Sequence, residues 1–504
     1  MRYLLPLLLL LSMLTVLLPG CEPKEELITT DAAARLAFST DTVKFDTVFV
    51  QTGTVTKRLW VYNRNKRAVR VSEIRLAAQQ GATYQLIIGG DPGAVARDVE
   101  IRGQDSLLVL VKATLQPGAD KPFLVEDQLL FRTNGNEQLV RLIAYGQNAY
   151  FHRHETIDRN TTWAADKPHV LYDTVWVEPG ARLTIEPGAR IYVHAGSPLV
   201  VFGQLSINAN TQPLDTVKEN DRRTIVRFAG DRLEPFYAEG PGQWPGIQFA
   251  PGSRGNVLRY CEIKNASYGL LLYNPGNGPA RPQVIVENST IKNISGLGVT
   301  AGSGGVSFAG GGVLSFSGDV ELRNVLLSNC GEYAVAGFQG GSYLLQHCTI
   351  ANYTPQFRRE TSALTFSNVL PVNNPPRQVS PSISILNTIV WGSIEDELFF
   401  QNASAYRAGI SVSNSLLRTK EYAGPAGGAT LGFEGSGNLL NVDPKFHRTT
   451  LSAGPNGPDY RLDPSSPARA RGADIRAFDA LSRDLRNVLR PNLATPDLGA
   501  LTLP

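Results

Sequence analysis

Six copies of a short segment recur in the middle of the chain, each with a polar residue at a fixed column. They read VLRYCEIKN, VIVENSTIKN, VELRNVLLSN, YLLQHCTIAN, ISILNTIVWG and ISVSNSLLRT. Aligned, the first column holds Tyr260, Asn288, Asn324, His347, Asn387 and Asn414. Five residues on, a second column holds Asn265, Asn293, Asn329 and Asn352, then Gly392 and Thr419. The copies are 28, 36, 23, 40 and 27 residues apart. An irregular period of this size, made of short β-branched runs, predicts a solenoid with insertions on some coils.

The flanking residues sharpen the prediction. Two positions before the first column stand Leu258, Val286, Leu322, Leu345, Ile385 and Val412. Three positions after it stand Ile263, Ile291, Leu327, Ile350, Val390 and Leu417. A straight strand alternates its faces with period two, so it cannot send offsets of minus two and plus three to one side. A bend at the column residue does so: one strand ends there, and the next begins with its own apolar residues inward. Asn suits such a corner because it tolerates a left-handed backbone and bonds locally. Stacked corners would let Asn side chains bond to one another from coil to coil, at about 1 kcal/mol each.

On these segments, roughly residues 160–450 resemble the right-handed parallel β-helix proteins, the group that includes pectate and pectin lyases. The resemblance implies fold more than chemistry, since this scaffold carries many unrelated functions. Two tandem EPGAR motifs, Glu178 to Arg182 and Glu186 to Arg190, place Pro-Gly pairs at type II turns and open the solenoid. After the repeats come Asn438-Leu-Leu-Asn441-Val-Asp443-Pro444, then Asp459-Tyr460-Arg461-Leu462, Ser466-Pro467-Ala468 and Asp497-Leu498-Gly499-Ala500. That order resembles the closing segment of many secreted β-helix proteins and is read as a C-terminal cap. Those relatives continue Ser-Pro-Ala with Ile-Asp, where this chain has Arg469-Ala470.

The ends bound the setting. Arg2 followed by an apolar run from Leu4 to Leu18 and then LLPGC reads as an export signal over residues 1–20. It resembles a bacterial lipoprotein signal, which implies a lipidated Cys21 and a membrane anchor. Lys24-Glu25-Glu26 is similar to a surface-export tag of some Gram-negative lipoproteins, which implies an outer-membrane, surface-exposed location. Removing Arg2 takes the formal net charge from +3 to +2, too balanced for a nucleic-acid partner. Residues 21–38 read as a tether. Eight alternating runs between residues 39 and 150, with turn signals at Asn134-Gly135 and Asp91-Pro92-Gly93, predict an immunoglobulin-like β-sandwich. The expected architecture is therefore all-β: that sandwich, then a right-handed parallel β-helix over 151–445, then a cap and tail over 446–504. Cys261 and Cys348 share a column with Ser289, Val325, Thr388 and Ser415, which predicts small buried residues rather than metal or redox work.

In enzymes of this fold, chemistry lies outside one stacked sheet and needs paired carboxylates, or acids on Ca2+ with an Arg or Lys base. The strands expected in that sheet, Gly246–Phe249, Gly269–Tyr273, Gly312–Phe316, Tyr333–Gly337, Ala363–Ser367 and Glu397–Gln401, carry no acid or base except Glu397. The nearest candidates are in turns: Arg358, Arg359 and Glu360 before one coil, and Glu395 and Asp396 before another. They read either as a sugar-acid or calcium site or as a solvated salt-bridge cluster. His152 and His154 place two imidazoles on one strand face without an evident third metal ligand. Trp244, Tyr268 and Tyr273 either stack on sugar rings or pack under loops. The expectation is a non-enzymatic, lipid-anchored envelope protein whose solenoid side binds a glycan or a protein partner, with no cofactor. The alternatives are a polysaccharide lyase or glycoside hydrolase, and an architectural part of a surface complex.

Overall fold

The computed structural model of the chain describes residues 27–50, 53–77, 82–118, 123–209, 224–301, 306–355, 358–371, 377–425, 431–450 and 457–503; the export segment and Cys21 lie outside them. Two compact units follow one another, Met1–Asn148 and Ala149–Pro504.

The first unit is an immunoglobulin-like sandwich of two sheets. Lys57–Asn63, Ser106–Leu115 and Ala82–Ile88 form the centre of one; Ala68–Leu76, Phe123–Thr133 and Asn136–Gln147 form the centre of the other. Period-two alternation sends Val109, Val111, Ala113 and Leu115 inward against Leu129, Phe131, Val140 and Leu142, all fully buried. Asn134 and Gly135, at φ 49° and 78°, make the two-residue hairpin that their sequence predicts. The tether expected over 21–38 is shorter than that span. Ile28–Thr29 pairs with Ala68–Val69, and Leu36–Phe38 pairs with Val61–Asn63. The Gln138 side chain fixes Leu36 through both its N–H and its carbonyl, each at 2.9 Å, so these residues belong to the sandwich.

The second unit is a right-handed parallel β-helix built from three parallel sheets. Sheet A has eleven strands, from Tyr150–Arg153 to Leu439–Leu440; sheet B has nine, from Thr156–Ile157 to Leu398–Gln401; sheet C has nine, from Thr161–Trp163 to Ile410–Ser413. Each coil runs A, B, C and then returns to A. All twelve apolar residues flanking the first column point into the core at no more than 5% exposure. The bend inferred between them is present: Tyr260, Asn288, Asn324, His347, Asn387 and Asn414 have φ between 44° and 52° and link sheet C to sheet A. Asn208, at φ 50°, precedes them on the same corner. The second column ends the sheet A strands, with Asn265, Asn293 and Asn329 at φ 64°, 54° and 51°. A third corner, between sheets B and C, carries Ser317, Gln339 and Asn402 at φ 56° to 57°. It escaped the sequence reading because its residue types vary.

The solenoid core is closed at its start by Ile157 and Trp163, and at its end by Tyr406, Tyr422, Leu431 and Phe433. The C-terminal segment is therefore no end cap. It lies on the flank, with Leu462, Ala468, Leu498 and Leu501 packed on the outside of sheet A. The reason is compositional. Outward positions of sheet A are Glu262, Lys264 and Lys292 in early coils but Ala351, Ile389, Trp391 and Leu416 in late ones. That apolar face needs cover.

Candidate functional site

The expected coil-to-coil Asn bonding occurs at few positions. In the first column Asn387 Nδ2 meets His347 Nε2 at 2.9 Å. Otherwise these amides grip the returning C-terminal segment. Asn414 donates to the Arg471 carbonyl, Asn387 to Ala473, Asn324 to Ala480 and Arg483, and Asn288 to Asp484. Arg490, fully buried, completes the track by donating to Asn324 Oδ1 at 2.8 Å and to the Gly499 carbonyl at 2.9 Å. In the second column Asn329 does donate to Asn293 Oδ1, at 2.8 Å. Asn293 in turn donates to Glu239, Asn265 to the Tyr237 and Ala238 carbonyls, and Asn352 to the Cys330 carbonyl. Corner amides are thus docking points for whatever chain segment lies over them, because a buried N–H left unbonded costs about 1–3 kcal/mol.

The charged candidates do not converge. Arg359 turns inward and pairs with Glu397 at 2.6 Å, both side chains sealed from solvent. Its guanidinium also donates to the Asn352 and Thr361 carbonyls, while Glu397 accepts from the Ala363 and Ile394 N–H groups. This is a neutralised structural pair at a coil junction. Arg358 and Glu360 face solvent and pair with each other at 3.4 Å. Glu395 pairs with Lys420 on the surface. Asp396 caps a turn: burial works against its charge, but the Glu421 and Lys420 N–H groups and the Thr419 hydroxyl outweigh it and hold the carboxyl below its usual range.

The six strands expected in the chemistry-bearing sheet do stack as neighbours in sheet B. Much of their outer face is covered: Leu271, Leu314 and Ala336 lie buried with Tyr268, Phe308 and Leu370. Trp244 and Tyr268 are buried as well, and Trp244 Nε1 donates to the Lys264 carbonyl at 2.9 Å. Cys261, Cys330 and Cys348 are buried free thiols, which burial pushes up to about 12. His152 meets His169 rather than His154, which sits at a bend against Trp176. Among the described residues, no three His, Cys, Asp or Glu side chains gather closely enough to hold a metal ion.

A cleft that the sequence reading missed opens on the late coils of sheet A, with a volume of about 760 Å³. Trp391 and Arg418 occupy the same outward position on successive coils, and the Arg418 guanidinium lies 5.2 Å from the Trp391 ring centre. Tyr353 adds a second ring, stacked on Tyr460 at 6.4 Å and 6°. Burial, then the nearby Asp443, raises its phenol above the ordinary range. Glu395, Lys420, Asn441, Asp443, Lys445, Phe446 and Thr449 complete the wall. The only sequence signal was an aromatic where the other copies carry Lys264, Lys292, Ser328, Ala351 and Arg418. Aromatic rings beside interleaved acids, bases and an amide can hold a polyhydroxylated ligand: apolar C–H faces rest on the rings, and hydroxyls donate and accept at the rim.

No family model matches the chain, and no curated protein matches it. Among solved structures, a family 123 glycoside hydrolase from Clostridium perfringens aligns at 8% identity and TM-score 0.16, over 22% of this chain and 26% of that one. A PapD-like domain of human CEP192 aligns at 12% identity and TM-score 0.16, over 24% of this chain and 89% of the domain. The chain thus spans about a quarter of the hydrolase, and likenesses this slight carry no functional argument.

Proposed function

We propose that this is a lipid-anchored cell-envelope protein, related to the pectin-lyase-like β-helices, that binds a glycan in the cleft at Trp391 and performs no chemistry on it. The observation that carries the reading is the cleft itself: the aromatic side chains of Tyr353, Trp391 and Phe446 beside Arg418, Asn441, Asp443 and Lys445, on one wall of the solenoid. Anchoring rests on the signal-like start and Cys21, and a surface location rests on Lys24-Glu25-Glu26. The lyase or hydrolase alternative loses its candidates, since Arg359 is spent on Glu397 while Glu360 and Glu395 pair with separate surface cations. Calcium would enter only through that alternative.

The test is calorimetry of the purified mature chain against a panel of neutral and acidic oligosaccharides, with reducing-end release monitored in parallel. Binding that falls tenfold or more in W391A, and also in the surface variant Asp443→Asn, with no release of reducing ends, is the expected result. Cleavage of any member overturns the non-enzymatic reading; absence of binding across the panel favours the architectural one. Cys21→Ser should abolish incorporation of labelled palmitate and sedimentation with membranes.

A further inference from the structure

We propose that Glu155, His152 and His169 form a proton-operated latch on the first coil of the solenoid. His152 lies on the opening strand of sheet A and His169 on the next, and both are buried, at 8% and 3% exposure. Trp163 stacks on both rings, with centroids at 4.3 Å and 4.9 Å. A chain of three polar contacts runs through them. His169 Nε2 meets the Ala164 carbonyl at 2.8 Å, His169 Nδ1 meets His152 Nε2 at 2.9 Å, and His152 Nδ1 meets the Glu155 carboxylate.

The chain counts its own protons. A carbonyl only accepts, so His169 carries its hydrogen on Nε2 and presents a bare Nδ1. His152 must then donate through Nε2. A neutral imidazole has one N–H, so His152 Nδ1 is bare and faces a carboxylate that also only accepts. Every neutral arrangement of the two rings leaves at least one such pair of lone pairs opposed. One added proton satisfies all three contacts, and it resides on His152: burial pushes His169 down to about 4. Burial also disfavours the cation on His152, more than Glu155 favours it, so uptake occurs below the ordinary imidazole range.

Above that midpoint Glu155, whose side chain is 38% exposed, swings to water; below it, Glu155 closes on the imidazolium. The other groups facing the pair are Asp166, which accepts from the Tyr150 hydroxyl at 3.0 Å, and Lys167, which sits 5.7 Å from the Tyr150 ring centre. The Tyr150 ring itself stacks on His169 at 5.1 Å. Neither charged group touches His152, so Glu155 is the moving part.

The experiment is a pH titration of the full mature chain carrying ring-15N histidine, followed by NMR, in wild type and Glu155→Gln. The introduced side-chain amide can donate to a bare Nδ1, so the substitution favours the neutral ring. The His152 midpoint should fall by about one unit, a tenfold loss of proton affinity, while His169 stays protonated at Nε2 alone. A midpoint within about 0.2 unit of wild type overturns the latch. So does neutral wild-type His152 found protonated on Nδ1, a readout that needs no variant.

Discussion

The two polar corners of the solenoid use the same residue type in the same left-handed conformation, yet they do different work. At the corner between sheets C and A, Asn288, Asn324, Asn387 and Asn414 spend their amides on a C-terminal segment more than fifty residues away in sequence. At the corner between sheets A and B, Asn329 bonds Asn293 and Asn293 bonds Glu239, so the ladder closes on itself and on an insertion from an earlier coil. Backbone conformation is local and favours Asn at both columns. The partner is set by whichever chain segment covers the corner, and that depends on the faces beside it. The first corner borders the apolar late coils of sheet A, which draw the tail onto them.

Removing the tail is the severest way to break the comparison. Deleting residues 459–504 strips Leu462, Leu498 and Leu501 from sheet A and frees the first-corner amides at once. With about 1.5–3 kcal/mol for each buried leucine, the loss should be about 5 kcal/mol or more, read as a fall in the guanidinium midpoint. Hydrogen exchange should rise at the first corner and stay slow at Asn293 and Asn329. A loss below about 1 kcal/mol would show that the tail merely rests on the solenoid.

Asn324→Gly is the next step down. Glycine keeps the left-handed backbone but deletes the bonds to Arg483 and Ala480 and removes an acceptor from the fully buried Arg490. The expected cost is about 2–4 kcal/mol, because a buried guanidinium loses a partner. Asn324→Ala should cost about 1 kcal/mol more, the strain of a Cβ at φ 51°. Equal melting midpoints for the Gly and Ala variants would break the backbone half of the comparison.

These columns also mark how far the sequence was legible. Apolar offsets of minus two and plus three could only mean a bend, so the coil and its first corner followed from pattern, and the strand order of sheet B followed once the β-helix resemblance was added. The third corner did not, because Ser317, Gln339 and Asn402 share a φ but no residue type. The chemistry of Arg359 was not legible either. Arg358, Arg359 and Glu360 are adjacent in sequence, yet one turns into the coil junction and two stay in water, a choice made by the Glu397 carboxylate 38 residues on. The cleft was hidden for the same reason: Trp391, Tyr353 and Asp443 come from successive coils and from the returning segment. The aligned columns place Trp391 above Arg418, but they say nothing of the segment after the last copy that supplies Asp443, Lys445 and Phe446.

His347 is the natural experiment within the first corner. It stands where Asn is the rule, and burial, then the neighbouring Arg490, holds its imidazole well below the ordinary value. A base with a depressed folded-state pKa binds its proton in the unfolded chain first. Stability is therefore full at neutral pH and is lost as pH falls below about 6.5, at up to ~1.4 kcal/mol per unit. Replacing it by the column's own residue, His347→Asn, should flatten this acid limb by about 2 kcal/mol at pH 5. Chemical melts between pH 5 and 7.5 would show it, and an unchanged slope would mean that another group carries the acid sensitivity.

The gentlest prediction asks whether the two corners are independent. Asn329→Gly deletes the 2.8 Å bond to Asn293 and should cost about 1 kcal/mol. Asn293→Gly deletes the same bond from the other side, along with the bond to Glu239. In a double-mutant cycle the pair should couple by about 0.5–1 kcal/mol, since each variant already removes the shared interaction. The cycle between Asn324 and Asn329 is the sharper arm. These residues are five apart in sequence, one just before and one near the end of the sheet A strand Leu326–Cys330, but the first answers to the tail and the second to its own ladder. Their costs should add to within about 0.3–0.5 kcal/mol. Coupling beyond that would mean that corner strain travels along the intervening strand of sheet A, and the two columns would then be one device read at its two ends.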